Sequence, residues 1–220
     1  MRGFVLRYWI AAPAVVLSLA VALGQQSKSP IPVPLGLLPV QFPKDNPYSP
    51  AKAELGKLLY FDVRLSGDNS VSCATCHAPQ HAYTDGKPVS TGIRGQKGGR
   101  SAPTIWNAAW NNEQFWDGRA KTLEDQAKGP IANPIEMDQD PKLLLTELRA
   151  IPEYTRRFDE AFRGANGSAV TLDNIASAIA AFERSVATVN SPFDRYAAGD
   201  RSALSDSAVR GLNLFRSVST

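Results

Sequence analysis

The stretch Cys73-Ala74-Thr75-Cys76-His77 decides how this chain is read. Cysteines three apart on a helix lie about one turn from each other, so both thiols can reach the two vinyl groups of one haem. The next residue, His77, is then carried under the iron, where an imidazole nitrogen serves as proximal ligand. In an exported protein, C-x-x-C-H reads as a c-type haem attachment site. Three other readings compete. A zinc site wants a fourth strong ligand, but there is no further cysteine and the only other histidine is His81. A thioredoxin-like pair needs a βαβ context, and none is legible. A lone disulfide leaves His77 unexplained. The pattern therefore implies one covalently bound c-type haem, with Cys73 and Cys76 as attachment residues and His77 as metal ligand.

Export is read from the N-terminus. Arg2 and Arg7 flank the start of an apolar run from Tyr8 to Leu23, and no acidic residue occurs before Asp45. Ala22-Leu23-Gly24 places small residues where a signal peptidase reads, so residues 1–24 are expected to be a signal peptide and the protein periplasmic. An uncleaved membrane anchor is the alternative, although the run is short for a span. The two cysteines are then used for haem and not for a disulfide framework. A formal charge of +3, to which Arg2 and Arg7 contribute, suggests no nucleic-acid partner. At 43% hydrophobic over 220 residues the chain can bury one good core or two small ones.

Residues 25–50 carry Pro30, Pro32, Pro34, Pro39, Pro43, Pro47 and Pro50, which cannot sustain a helix and predict an extended tether or surface strap. Order is expected from Ala51. Leu55, Leu58 and Leu59 suggest one helical face, and Tyr60-Phe61 aromatic bulk towards the haem. Residues 78–104 are rich in glycine, proline and small polar residues, a long loop expected to wrap the haem. Arg94, Lys97 and Arg100 could meet its propionates, with solvated charge as the alternative for each. Trp106 and Trp110 read as core, whereas Trp116, within Phe115-Trp116-Asp117-Gly118-Arg119, reads as a buried wall beside a cofactor.

Helices are predicted downstream. Asp140-Pro141 starts one with Leu143, Leu144 and Leu148 inward. Pro152 starts another with Tyr154, Phe158 and Phe162 inward and Gly164 at its end. Thr171 caps the longest, with Ile175, Ala178, Ile179, Phe182 and Val186 at helical spacing, and Ser191-Pro192 breaks it. A last helix spans about 205–215. No alternating strands are legible, so the fold class is all-α. Gly211-Leu212-Asn213-Leu214-Phe215 echoes Leu55 to Phe61, which predicts a second haem unit cut short after Thr220; the alternative is a C-terminal helix docking on the first domain. The domains expected are 51–187, a c-type haem domain, and 188–220, the start of a truncated second one.

Several ordered pieces resemble the bacterial di-haem cytochrome c peroxidase family: Leu65-Ser66-Gly67-Asp68, Tyr83-Thr84-Asp85-Gly86, Gly99-Arg100-Ser101-Ala102-Pro103-Thr104, Phe115 to Arg119, Gly129-Pro130-Ile131, Pro134-Ile135-Glu136-Met137, Ala181-Phe182-Glu183-Arg184, and Ser191 to Tyr196. The resemblance implies a peroxide-reducing haem on His77, a distal carboxylate at Glu136, a distal amide at Gln126, and Trp116 between two haems. The implied substrate is hydrogen peroxide and the implied donor a small protein such as a c-type cytochrome; a homodimer is compatible. Such a carboxylate can carry a proton between the two peroxide oxygens.

Three departures from the family pattern stand out. Ile93 aligns where many members carry a distal histidine, so the distal site is expected to be open, as in the branch that matures tryptophylquinone cofactors. Ser101 stands where the family's calcium site uses an asparagine, which counts against calcium. The second haem motif is not in these residues. Two alternatives remain beside the peroxidase. One is a mono-haem electron carrier, for which Met137 is the only methionine outside the initiator. The other is a protein-oxidising enzyme of the tryptophylquinone-maturing kind.

Overall fold

The computed structural model describes residues 29–163 and 167–218. The expected signal peptide and the helix stop at Gly164 lie outside the described residues. The helices are α1 (Pro50–Phe61), α2 (Cys73–Cys76), α3 (Leu123–Ala132), α4 (Pro141–Arg149), α5 (Pro152–Ala161), α6 (Leu172–Ser185), α7 (Pro192–Ala197) and α8 (Asp206–Val218). Only three isolated β-bridges occur among the described residues, and the fold is all-α.

The crossing of α1 on α6 organises the core. Ser49 caps α1 by accepting the Lys52 N–H, and Thr171 caps α6 by accepting the Asn174 N–H. Ile175, Ala176, Ala178, Ile179, Ala180 and Phe182 bury α6 almost all round. Its alanines let α1 come close, and Gly56 is the point of approach: a Cβ there would stand 1.8 Å from the Ala178 carbonyl oxygen. Gly56→Ala must push two helix backbones apart, an overpacking cost of about 1–3 kcal/mol or more. Its chemical-denaturation midpoint is expected to fall clearly below that of the parent. An unchanged midpoint would show that the crossing adapts.

The helical faces are narrower than the leucine spacing suggested. Leu55 and Leu59 are buried but Leu58 is 40% exposed; likewise Leu144 and Leu148 are buried while Leu143 is 51% exposed. In each pair of neighbouring leucines the side chains point about 100° apart, so only the one in register with its i+4 partner reaches the core. Tyr154 and Phe158 are buried and Phe162 packs against them.

Two helices were not anticipated. Gly129-Pro130 looks like a helix break, yet α3 runs through it, started by Thr122 accepting the Asp125 N–H. Pro130 falls in the last turn, where a single missing N–H is tolerated. Ser191-Pro192 does follow the end of α6 but also opens α7, through a capping box with Asp194.

The described part of the proline-rich segment is a strap laid on the body. Ile31 and Val40 are buried, and the Trp110 indole N–H donates to the Leu38 carbonyl at 2.9 Å. Asn46, also buried, donates to Glu124 on α3 and to the Ser177 carbonyl on α6. Arg184 closes this network with a two-pronged ion pair to Glu124. The strap thereby ties α3 to α6, the two helices that flank the site described next. By contrast, Leu214, Phe215 and Val218 leave an apolar side of α8 exposed.

Candidate functional site

A cavity of about 720 Å³ opens between α2, α3, α6 and the loops 90–105 and 111–119. Cys73, Cys76 and His77 line it, and so do Gln126, Glu136 and Trp116. All six residues singled out in the sequence are therefore brought to one site from four separate segments.

The motif itself is a single turn. Thr75 and Ser72 exchange hydrogen bonds, and the His77 N–H donates to the Cys73 carbonyl at 3.0 Å. The imidazole Nδ1 faces two carbonyl oxygens, Pro103 at 2.9 Å and Tyr83 at 3.3 Å. A carbonyl can only accept, so Nδ1 carries the proton and Nε2 keeps its lone pair. Burial holds the pKa of His77 below its usual value, which keeps the ring neutral as a ligand must be. A backbone acceptor behind the distant nitrogen is how a metal-ligating histidine is held in orientation. Tyr60, buried in the core, donates its hydroxyl to the His77 carbonyl at 2.8 Å.

A c-type haem fits this site. The volume lies in the range of cofactor pockets, both thiols border it, and Val71, Ile105, Ala108, Leu123, Ala127 and Ile179 give it apolar walls. Cys73, Cys76 and His77 would hold the group. Arg100 and Arg119 also line the cavity, within the sequence expectation for Arg100. Arg94 and Lys97 do not line it: Arg94 pairs with Asp138 at 2.7 Å and Lys97 donates to Thr91.

Glu136 sits on a turn braced from behind. The Ile93 N–H donates to the Glu136 carbonyl at 2.8 Å, and Gln96 to the Pro134 carbonyl at 2.8 Å. Gly92 has no room for a side chain, because a Cβ would stand 2.2 Å from the Ile135 carbonyl oxygen and 2.7 Å from that of Glu136. The carboxylate accepts from Asn133 at 2.8 Å. Burial raises its pKa above the ordinary 4.5, opposed by the Asn133 hydrogen bond and by Arg119. Ile93 is fully buried in the core, and no imidazole other than His77 lines the cavity among the described residues. Met137 does line it.

Three aromatic expectations need correction. Trp116 is not a buried wall: it is 63% exposed at the cavity rim, its indole N–H donating to the Ser101 carbonyl at 2.9 Å. The preceding Phe115 has φ +65° and carries the Arg119 guanidinium 3.4 Å above its ring. That stacking and the Asp117 ion pairs to Arg100 and Arg119 hold the loop open to solvent. Trp106 is 43% exposed and not core, and Trp110 is only half-buried. Phe61, expected to point to the haem, is largely exposed beside Tyr60 and Phe182.

Sequence reasoning missed Glu183. It lines the cavity from α6, fully buried, with one carboxylate oxygen lacking any hydrogen-bond partner. Burial pushes its pKa up to about 8, with the neighbouring Arg184 opposing the shift. One signal was available. Position 183 falls four residues after Ile179, on the apolar stripe, where a carboxylate is out of place.

A family model described as di-haem cytochrome c peroxidase matches residues 50–202. The chain is 47% identical over 172 residues to a cytochrome c551 peroxidase of Pseudomonas aeruginosa, covering 78% of this chain and 49% of that protein. It is 42% identical over 176 residues to the methylamine utilization protein MauG of Methylorubrum extorquens, covering 80% and 49%. Among solved structures, a MauG-like protein associated with microbial copper homeostasis aligns with a TM-score of 0.78 at 35% identity, covering 83% of this chain and 53% of that one. The diheme peroxidase BthA of Burkholderia thailandensis aligns at 0.66 and 28% identity, covering 78% and 47%. The chain thus spans about half the length of the curated relatives it matches.

Proposed function

Because the chain belongs to the di-haem cytochrome c peroxidase family, we propose that its haem domain reduces hydrogen peroxide in the periplasm with electrons from a small donor protein such as a c-type cytochrome. The observation that carries this reading is the convergence of His77 and a half-buried carboxylate, Glu136, on one cavity. A c-type haem held by Cys73, Cys76 and His77 would supply a redox-active iron for the reduction.

The chain's own residues then divide the remaining work. Glu136, with its pKa raised by burial, accepts a proton from one peroxide oxygen and returns it to the other, general acid–base help typically worth ~10²–10⁴ in rate. Asn133 fixes that carboxylate and leaves its second oxygen for the substrate. Gln126 presents an amide to orient peroxide or water. Trp116, exposed at the rim, offers a π-system where electrons enter. The exposed apolar side of α8 supports reading residues 188–220 as the start of a second cytochrome c domain.

Met137 favours a second reading, electron carriage without catalysis. Met137 borders the cavity, and a thioether can serve as a sixth haem ligand. The spectrum of the ferric protein separates the two. A peroxidase with an open site is high-spin and binds cyanide without prior reduction. A low-spin spectrum that turns high-spin on Met137→Leu would establish the carrier and overturn the peroxidase reading.

A further inference from the structure

A second aromatic path leaves the His77 side of the site, separate from Trp116. The His77 Nδ1–H points at the Tyr83 carbonyl at 3.3 Å and at the Pro103 carbonyl at 2.9 Å. The Tyr83 ring meets the Trp106 ring edge-on, with centroids 6.3 Å apart at 62°, the ordinary contact geometry of an aromatic pair. Tyr60, whose hydroxyl donates to the His77 carbonyl, packs on Tyr83 at 6.4 Å. One hydrogen bond, one side chain and one van der Waals contact therefore join the haem ligand to an indole that is 43% exposed. The cluster's other exposed ring, Phe61, is a phenyl group that does not readily lose an electron.

The chain holds this pair in place at a conformational cost. Ala82 and Tyr83, neither of them glycine, both have left-handed backbones, with φ +55° and +57°. Such strain persists only where the surroundings enforce it. Here the Tyr83 N–H donates to the Ala78 carbonyl at 2.8 Å, the Ala78 N–H to the Thr84 carbonyl at 3.0 Å, and the Thr104 hydroxyl to the Ala82 carbonyl at 2.6 Å. That last bond staples the Tyr83 turn to the segment that carries Trp106.

We propose that Tyr83 and Trp106 form an electron relay from His77 to the surface, and that Trp106 is where small phenolic one-electron donors are oxidised. The proposal rests on the haem and peroxide reading above. Reduction of one hydrogen peroxide to two waters consumes two electrons and two protons. Each electron is drawn singly from Trp106 across Tyr83, and the indole proton passes to solvent. A phenol then gives Trp106 one electron and one proton and leaves as a phenoxyl radical. Two phenols are consumed per peroxide, so the balance closes.

The test uses the full chain loaded with haem. Peroxide is added without donor, samples are frozen at set times, and electron paramagnetic resonance is recorded beside the haem Soret band. The parent is expected to show a tryptophanyl radical. Trp106→Phe should lose it and lose most of the oxidation of 2,6-dimethoxyphenol, while its Soret response to peroxide is unchanged. Trp110→Phe, outside the ring contacts, should retain both. A radical or a phenol rate that survives in Trp106→Phe overturns the relay, as does a parent with a normal Soret response and no radical. A Soret band indifferent to peroxide in every variant sinks the peroxide reading, and the relay with it.

Discussion

Produced with a cytochrome c maturation system, the full chain gains the mass of one haem, and the Cys73→Ser, Cys76→Ser variant gains none. The expectation follows from a cavity that both thiols line and that His77 completes with an oriented Nε2 lone pair. Serine is close in size but forms no thioether, so the loss is chemical and not a failure of packing. Stability should follow the haem. A covalently attached haem stays on the unfolded chain as well, so its stabilising effect comes from filling, in the fold, an apolar-walled space of about 720 Å³ that would otherwise be a void. The double variant should therefore melt at a lower temperature than the loaded parent. An unmodified parent mass from a host that loads other c-type cytochromes would end the haem assignment.

Glu136→Gln is expected to slow the reaction with peroxide by ~10²-fold or more, the scale of lost general acid–base catalysis, and to leave cyanide binding nearly unchanged. Cyanide reports only access to the site, whereas peroxide cleavage also needs a proton acceptor. The amide keeps the shape of the carboxylate and can still bond Asn133, so the comparison isolates the proton. The pH profile adds a second check. Burial raises the pKa of Glu136 above the ordinary 4.5, and the proton-accepting form exists only above that pKa. The parent's peroxide rate should fall as pH drops through a midpoint above 4.5, and Glu136→Gln should lack that limb. Stopped-flow rates across pH for both proteins decide it. An equal peroxide rate in the variant would remove the residue from the mechanism.

What was legible in the sequence was local. The haem motif is five consecutive residues whose chemistry requires nothing distant. Thr171 and Asp140 announce helix starts because a cap bonds to backbone two or three residues away. The all-α class follows from apolar spacing that neighbouring turns enforce. The misjudged positions share the opposite property. Leu58 and Leu143 cannot be told from Leu59 and Leu144 until α6 and the core take one face and leave the other. Trp106 reads as core, Trp116 as a wall beside a cofactor and Phe61 as facing the haem, but their exposure depends on which loops are held out by pairs such as Arg119 on Phe115. α3 survives its glycine and proline because Glu124 is anchored by Arg184, 60 positions away, and by Asn46, 78 positions away.

The site divides along the same line. Cys73, Cys76 and His77 were named by spacing alone, since thioether and imidazole chemistry sit on one turn. The meeting of Gln126 and Glu136 with them, the brace that Gly92 puts behind Glu136, and the burial of Glu183 all arise from contacts between segments far apart in the chain. The sequence by itself determined the attachment chemistry and the helical class, because both are written within a few residues. Only the tertiary structure decided which side chains face the cavity and how their proton affinities shift, because burial and dielectric environment belong to the packed whole.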